Sequence, residues 1–251
     1  MNYDDPAALA QHIADQERPL LLGLDVDGVL AAIVHHADQA RLSAGVADSL
    51  AELAKHEQLH VAVVSGRSID DLDRFNFDEG ITLIGSHGIE IQGRPMEPLT
   101  VQEADRLAQL TSLCDRAMHR AGGGAWVETK PASVVLHVRQ AESVAGADAL
   151  TWLRPLAESV DGTEIKVGSA VLELFARSGN KGRAIHDLRT EVNALTAVFV
   201  GDDITDEDAF AVLGPSDVSI KVGNAATIAN NRLRDTDAVR DWLQELSVRF
   251  G

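Results

Sequence analysis

Residues 21–30 read LLGLDVDGVL: apolar residues around one glycine, then two aspartates, a glycine and apolar residues again. An uncharged apolar run of this kind is the pattern of a strand buried on both faces, as in a parallel sheet. Along a strand, residues i and i+2 point to the same side. Asp25 and Asp27 are therefore expected to face one way at its carboxyl end, with Gly28 letting the chain turn. In open parallel sheets that edge is where ligands bind. Three readings stand for the pair: a metal loop, a catalytic pair, or two solvated aspartates at a strand end. An EF-hand calcium loop is rejected, because its twelfth position needs a bidentate glutamate and here holds His36.

Outward from this stretch, apolar strands alternate with helical patterns. PLLLGLD is a strand, AGVADSLAELAKHE a helix, LHVAVVSGR a second buried strand, SIDDLDRF a short helix, and ITLIGSHGIEIQG two short strands around a glycine pair. The middle of the chain reads differently. TVQEADRLAQLTSLCDRAMHRA is one long amphipathic helix stopped by Gly122–Gly124, and AWVETK and SVVLHVR are strands joined by a turn at Pro131. AESVAGADALTWLRPLAE is a second helix, and TEIKVGSAVLELF a hairpin bending near Gly168. After it the first rhythm resumes in NKGRAIHDLRTEV, TAVFVGDD, TDEDAFAVL and DVSIKVG. The expected fold class is α/β: a Rossmann-like, doubly wound parallel sheet at residues 1–98 and 177–251, interrupted by an inserted α+β domain at 99–176.

With 251 residues, 45% hydrophobic and 24% charged, the composition is that of a soluble globular protein. No apolar run is long enough to span a bilayer, and the first twenty residues carry acid where a signal peptide needs base. The expected compartment is the cytoplasm. Cys114 is the only cysteine, which excludes an internal disulfide and a thiolate-rich zinc site; its helical setting reads as a buried structural thiol. A net charge of −17 disfavours binding to nucleic acid or an anionic membrane. An anionic substrate would then need cations gathered locally, as Lys/Arg or as a metal.

VVSGRS places Ser65, Gly66 and Arg67 directly after the second strand. A hydroxyl and free backbone N–H groups at a helix start make an anion site, and equally a plain N-cap. FVGDDITDEDAF puts Asp202 and Asp203 at another strand end, with Asp206 near Asp202 on the first helical turn. Glu207 and Asp208 there read as complements of a helix dipole. Hard oxygen ligands from two strand ends suit Mg²⁺. RSGNKGRAI offers Lys181 at a helix start; it is not a P-loop, since Gly182 follows the lysine. It is either a surface lysine or the balance for the carboxylates and an incoming phosphate.

Paired aspartates, then serine, then lysine, then an acidic strand end is the motif order of the haloacid dehalogenase superfamily of phosphatases, which the chain resembles in DVDGV, VSGR, NKG and GDDITD. Within it the chain resembles the trehalose-6-phosphate phosphatases through LIGSHGIE, VETKPASVVLHVR, VLELFARSGNKG and VGDDITDEDAF. The resemblance implies an aspartyl-phosphate mechanism: Asp25 as nucleophile, Asp27 as acid/base, and Ser65 and Lys181 on phosphate oxygens. It implies Mg²⁺ held by Asp25, the Asp27 carbonyl and Asp202, with Asp206 supporting that shell. It makes the insert a cap that closes over the core and selects the sugar. Glu128, Lys130, Arg139 and Glu173 would meet the disaccharide hydroxyls, and Gly66, Arg67 and Asn180 would line the substrate site. His87 either lines the cleft or bonds within its loop, while His35 and His36 are surface residues. The chain departs from the family in Val29, where threonine is usual, and in Val26, where an aromatic is usual. The partner expected is a small-molecule sugar phosphate, bound by a monomer or weak homo-oligomer. Three competing readings are a phosphatase of another sugar phosphate, such as a mannosyl- or glucosyl-glycerate phosphate, a mutase, and a non-enzymatic phospho-receiver-like module. The inserted domain argues against the last.

Overall fold

A computed structural model describes residues 2–34 and 39–251; His35 and His36 lie outside them. Along the chain come α1 (Pro6–Ala14), β1 (Leu20–Leu24), α2 (Val46–Ala54), β2 (Leu59–Val64), α3 (Ile69–Leu72), β3 (Thr82–Gly85) and β4 (Glu90–Ile91). Then follow α4 (Val101–Ala121), β5 (Trp126–Thr129), β6 (Ser133–His137), α5 (Ser143–Glu158), β7 (Glu164–Gly168) and β8 (Val171–Phe175). The last stretch holds α6 (Lys181–Glu191), β9 (Thr196–Gly201), α7 (Glu207–Ala211), β10 (Val218–Val222), β11 (Asn231–Leu233) and α8 (Thr236–Phe250). Two units form: Met1–Met96 with Gly179–Gly251, and Glu97–Ser178.

The first unit is built on a seven-stranded sheet in the order β11-β10-β9-β1-β2-β3-β4. Its strand pairs are parallel except β3 with β4. β1 is central, and the alternation of its side chains serves two layers. Leu20, Leu22 and Leu24 join a core with Leu9, Leu50 and Trp242 from α1, α2 and α8, while Leu21 joins Ile185, Leu188 and Phe199 on the other face. Burying each such leucine contributes about 1.5–3 kcal/mol. Gly23 lies on that second face because α6 comes too close for a side chain: a Cβ there would stand 2.7 Å from Ile185 Cδ1. The chain steps from β1 through β2 to β3 in one direction and from β9 through β10 to β11 in the other. The order reverses between β1 and β9, a topological switch point, where carboxyl-end loops diverge and leave a crevice.

The second unit has an antiparallel sheet in the order β5-β6-β8-β7. Val134, Leu136, Leu172 and Leu174 on one face pack against Leu110, Cys114 and Leu153 of α4 and α5. Burial pushes the Cys114 thiol up to about 12, so it stays protonated and inert. α4 starts on a capping box in which Thr100 and Glu103 satisfy each other's backbone amides, and it stops at Gly122, whose φ is +79°.

Candidate active site

β1 ends at Leu24, so Asp25 and Asp27 lie beyond the strand and its alternation does not pair them. The main chain folds over immediately, with the Val26 carbonyl accepting from the amides of Val29, Leu30 and Ala31. Gly28 sits in this turn at φ +80°, and a Cβ on it would stand 2.1 Å from Asp202 Oδ2. Only glycine tolerates both that backbone and that approach.

The two carboxylates take different partners. Asp25 is buried; its Oδ1 accepts from the Val26 amide at 2.7 Å and its Oδ2 lies 3.0 Å from Lys181 Nζ. Lys181, first residue of α6, has a side chain only 2% exposed and also donates to Asp206 Oδ1 at 2.7 Å. Asp206 is wholly buried, and its Oδ2 accepts from the amides of Asp202 and Asp203, both at 2.9 Å. It thus holds the acidic loop in shape as well as the lysine. Burial first, and the Asp206 charge after it, hold the Asp25 carboxyl well above the usual range against the pull of Lys181. Burial together with Asp206 and Asp203 pushes Asp202 up to about 7. Burial draws the Lys181 ammonium down, but Asp25 and Asp206 outweigh it and hold the group charged.

Asp27 is gripped by Arg67 through two bonds, Nε to Oδ2 and Nη2 to Oδ1, each 2.7 Å. Arg67, expected on the substrate, donates to this carboxylate in the structure, with its Cζ 5.3 Å from the Phe75 ring centroid. Ser65, at the carboxyl end of β2, is buried and its Oγ accepts from the Arg67 amide at 3.2 Å. His87 packs on Gly66, where a Cβ would meet its Nε2 at 2.4 Å, and its amide donates to the Ser65 carbonyl. Ser86 and His87 both have positive φ, 49° and 58°. Asn180, expected to line the substrate site, is the N-cap of α6: its Oδ1 accepts from the Arg183 amide at 2.8 Å.

In the second unit, Lys130 Nζ and Ser133 Oγ both donate to Glu173 Oε1, at 3.0 and 2.8 Å. Glu128 Oε2 pairs with His137 Nε2 at 2.8 Å. Arg139 is exposed and donates to the Ser169 carbonyl.

Oxygens of Asp25, Asp202 and Asp206 lie within 4.8 Å of one another. Asp202 Oδ1 is buried with no hydrogen-bond partner among the described residues. Three close carboxylates against one ammonium leave an excess of negative charge and an orphaned oxygen, and all the donors are hard. That set fits a divalent cation of the magnesium kind.

Residues 23–237 match the family model described as trehalose-phosphatase. The chain belongs to the trehalose-phosphatase family. It is 31% identical over 227 residues to the trehalose-6-phosphate phosphatase of Escherichia coli strain K12, covering 89% of this chain and 85% of that one. Among solved structures it is similar to the trehalose-6-phosphate phosphatase of Aspergillus fumigatus, 26% identical, with 99% of each chain covered and a TM-score of 0.64. It also shares its fold with a haloacid dehalogenase-like hydrolase from Bacteroides thetaiotaomicron, 14% identical, over 89% of this chain and 98% of the other at a TM-score of 0.63. As a trehalose-phosphatase family member the chain is a phosphoric monoester hydrolase with a Rossmann-like core.

One charged residue of this trehalose-phosphatase escaped the sequence reading, and a second was given another role there. Lys221 on β10 is 1% exposed, and its Nζ donates to the Asp203 carbonyl at 3.1 Å and to Glu207 Oε1 at 3.3 Å. Glu207, read as a dipole complement, instead ties this lysine to Thr227 Oγ1 and the Ile228 amide. The signal was available: a lysine inside the buried strand DVSIKVG must find a partner.

Proposed function

We propose that the chain hydrolyses trehalose 6-phosphate to trehalose and phosphate, through an aspartyl-phosphate on Asp25 and with Mg²⁺ at the acidic cluster. The observation that carries this is the buried Asp25–Lys181–Asp206 constellation beside Asp202, at the point where the strand order reverses in a trehalose-phosphatase. Asp25, whose backbone N–H donates to the Val200 carbonyl, attacks phosphorus in line as the bond to the sugar oxygen breaks. Asp27 gives its proton to that oxygen and then takes one from the water that attacks phosphorus, freeing Asp25 and phosphate. Lys181 and Ser65 hold phosphate oxygens. Asp25, Asp202 and the Asp27 carbonyl would hold the metal, with Asp206 supporting them; the metal supplies charge neutralisation on the transferring group.

The unit Glu97–Ser178 serves as the sugar-selecting domain, supported by the carboxylates and cations on its open sheet face. The partner is a small sugar phosphate, handled by a monomer or weak homo-oligomer in the cytoplasm without nucleic acid or membrane. The net charge of −17 supports the absence of nucleic acid and of an anionic membrane. No helix among the described residues is long and apolar enough to cross a membrane. Phosphate release over a panel of sugar phosphates, with and without Mg²⁺, tests the reading. Turnover of trehalose 6-phosphate that stops with chelator is expected; release only from another sugar phosphate would overturn the substrate.

A further inference from the structure

One face of the second unit's sheet is sealed by α4 and α5, and the register assigns the residues of the other. Trp126 stands opposite His137, Glu128 opposite Val135, and Val135 opposite Glu173, so all of these share the face away from the helices. The Trp126 indole lies flat on the His137 imidazole, with ring centroids 3.8 Å apart and planes within 6°. It does so while 46% exposed, on an edge strand, so little of its surface serves the core.

What it does is hold the imidazole. His137 is fixed on one side by this stack and presents Nε2 to Glu128 Oε2. A glutamate on an edge strand otherwise samples many rotamers. The bond ties down one oxygen of Glu128, as Lys130 and Ser133 tie down one oxygen of Glu173. The second oxygen of each carboxylate is left to accept from a ligand. Two carboxylates, each anchored by one oxygen and presenting the other, offer separate acceptors to the hydroxyl donors of a polyol.

We propose that Trp126 and His137 are positioning residues for sugar recognition, acting through Glu128: the indole fixes the imidazole, and the imidazole fixes the carboxylate. This rests on the reading above that Glu128 meets the sugar.

The test compares Trp126→Ala, Trp126→Phe, His137→Leu and His137→Gln by steady-state kinetics on trehalose 6-phosphate and on p-nitrophenyl phosphate. Trp126→Ala and His137→Leu are expected to raise KM for the sugar phosphate about tenfold or more. Their kcat for p-nitrophenyl phosphate should stay within about twofold of the parent. Trp126→Phe, which keeps a ring to stack, and His137→Gln, which keeps a donor, should recover most of the loss. Glu128→Ala with Trp126→Ala should be no worse than Glu128→Ala alone, because the indole acts only through that carboxylate. An unchanged KM in Trp126→Ala, or fully additive losses, would overturn the proposal. If Trp126→Ala does not fold, the His137 pair decides alone. If the parent enzyme turns over a different sugar phosphate, the comparison is made on that substrate. A KM shift there keeps the positioning role and removes only the trehalose 6-phosphate reading.

Discussion

Arg67 holds Asp27 with both arms of its guanidinium, at 2.7 Å on each carboxylate oxygen, and its own side chain is almost fully covered. A forked pair fixes the plane and position of a carboxylate in a way a single ammonium does not. If Asp27 protonates the leaving group, this grip matters most where the leaving group is poor. Arg67→Met should lower kcat for a sugar phosphate by about 10²-fold, within the span ascribed to general acid catalysis. For p-nitrophenyl phosphate, whose leaving group needs no proton, the loss should stay within a few-fold. Equal losses on both would show that Arg67 serves something other than Asp27.

The orphaned oxygen of Asp202 and the uncompensated charge around it bear on metal binding. A ligand that binds only the folded state, at a hundredfold excess over its dissociation constant, adds about 2.7 kcal/mol. For a chain of this size that is a rise of roughly 5–10 °C in unfolding midpoint at saturating Mg²⁺. Asp202→Asn should lose most of the rise. Thermal unfolding with Mg²⁺ and with chelator measures both, and equal shifts in the two proteins would place the cation elsewhere.

Glu103 lies between Arg177 and the start of α4, and its carboxyl is held down to about 2, first by the Arg177 bond and then by the Thr100 amide. A depressed folded pKa gives stability that is complete above the unfolded value of 4.5 and drains away as pH falls toward 2. Acid unfolding of the parent should therefore steepen between those values. Glu103→Gln should unfold earlier at neutral pH and show a shallower acid slope, as read by circular dichroism along a pH series.

Lys221 joins β10 to the loop that carries Asp202 and Asp206. Removing one partner of a buried ion pair costs about 3–5 kcal/mol. The Glu207 side chain is 23% exposed, so water recovers part of that. Lys221→Met should lower unfolding free energy by about 2 kcal/mol in urea titration at pH 7. A variant as stable as the parent would mean the lysine is dispensable to the loop.

Much of this site was legible from local pattern. The apolar run through Leu24, the acidic run after Gly201 and Lys181 at a helix start all declare themselves within ten residues, because burial and helix starts have short-range signatures. The pairing of Arg67 with Asp27 did not, because the two are forty positions apart and only the pairing of β1 with β2 brings them together. The Asn180 contact is local by contrast: its partner is three residues on, and its side chain caps the helix that Lys181 begins. No element had been assigned to α1, β11 or α8, yet Leu9 and Trp242 from the first and last of these close the core beneath β1.

The position of β1 between β2 and β9 also bears on how the chain is made. Leu20 pairs with Leu59 on one side and with Thr196 on the other, so its second neighbour is 176 residues downstream (196 − 20). At a synthesis rate of roughly 5–20 residues per second, one edge of this fully apolar strand waits roughly 9–35 s on the ribosome before β9 emerges. In that interval the whole unit Glu97–Ser178 is translated. A nascent chain of this protein thus carries an unpaired hydrophobic strand edge past an already completed neighbour, which is the period in which it needs shielding from other chains.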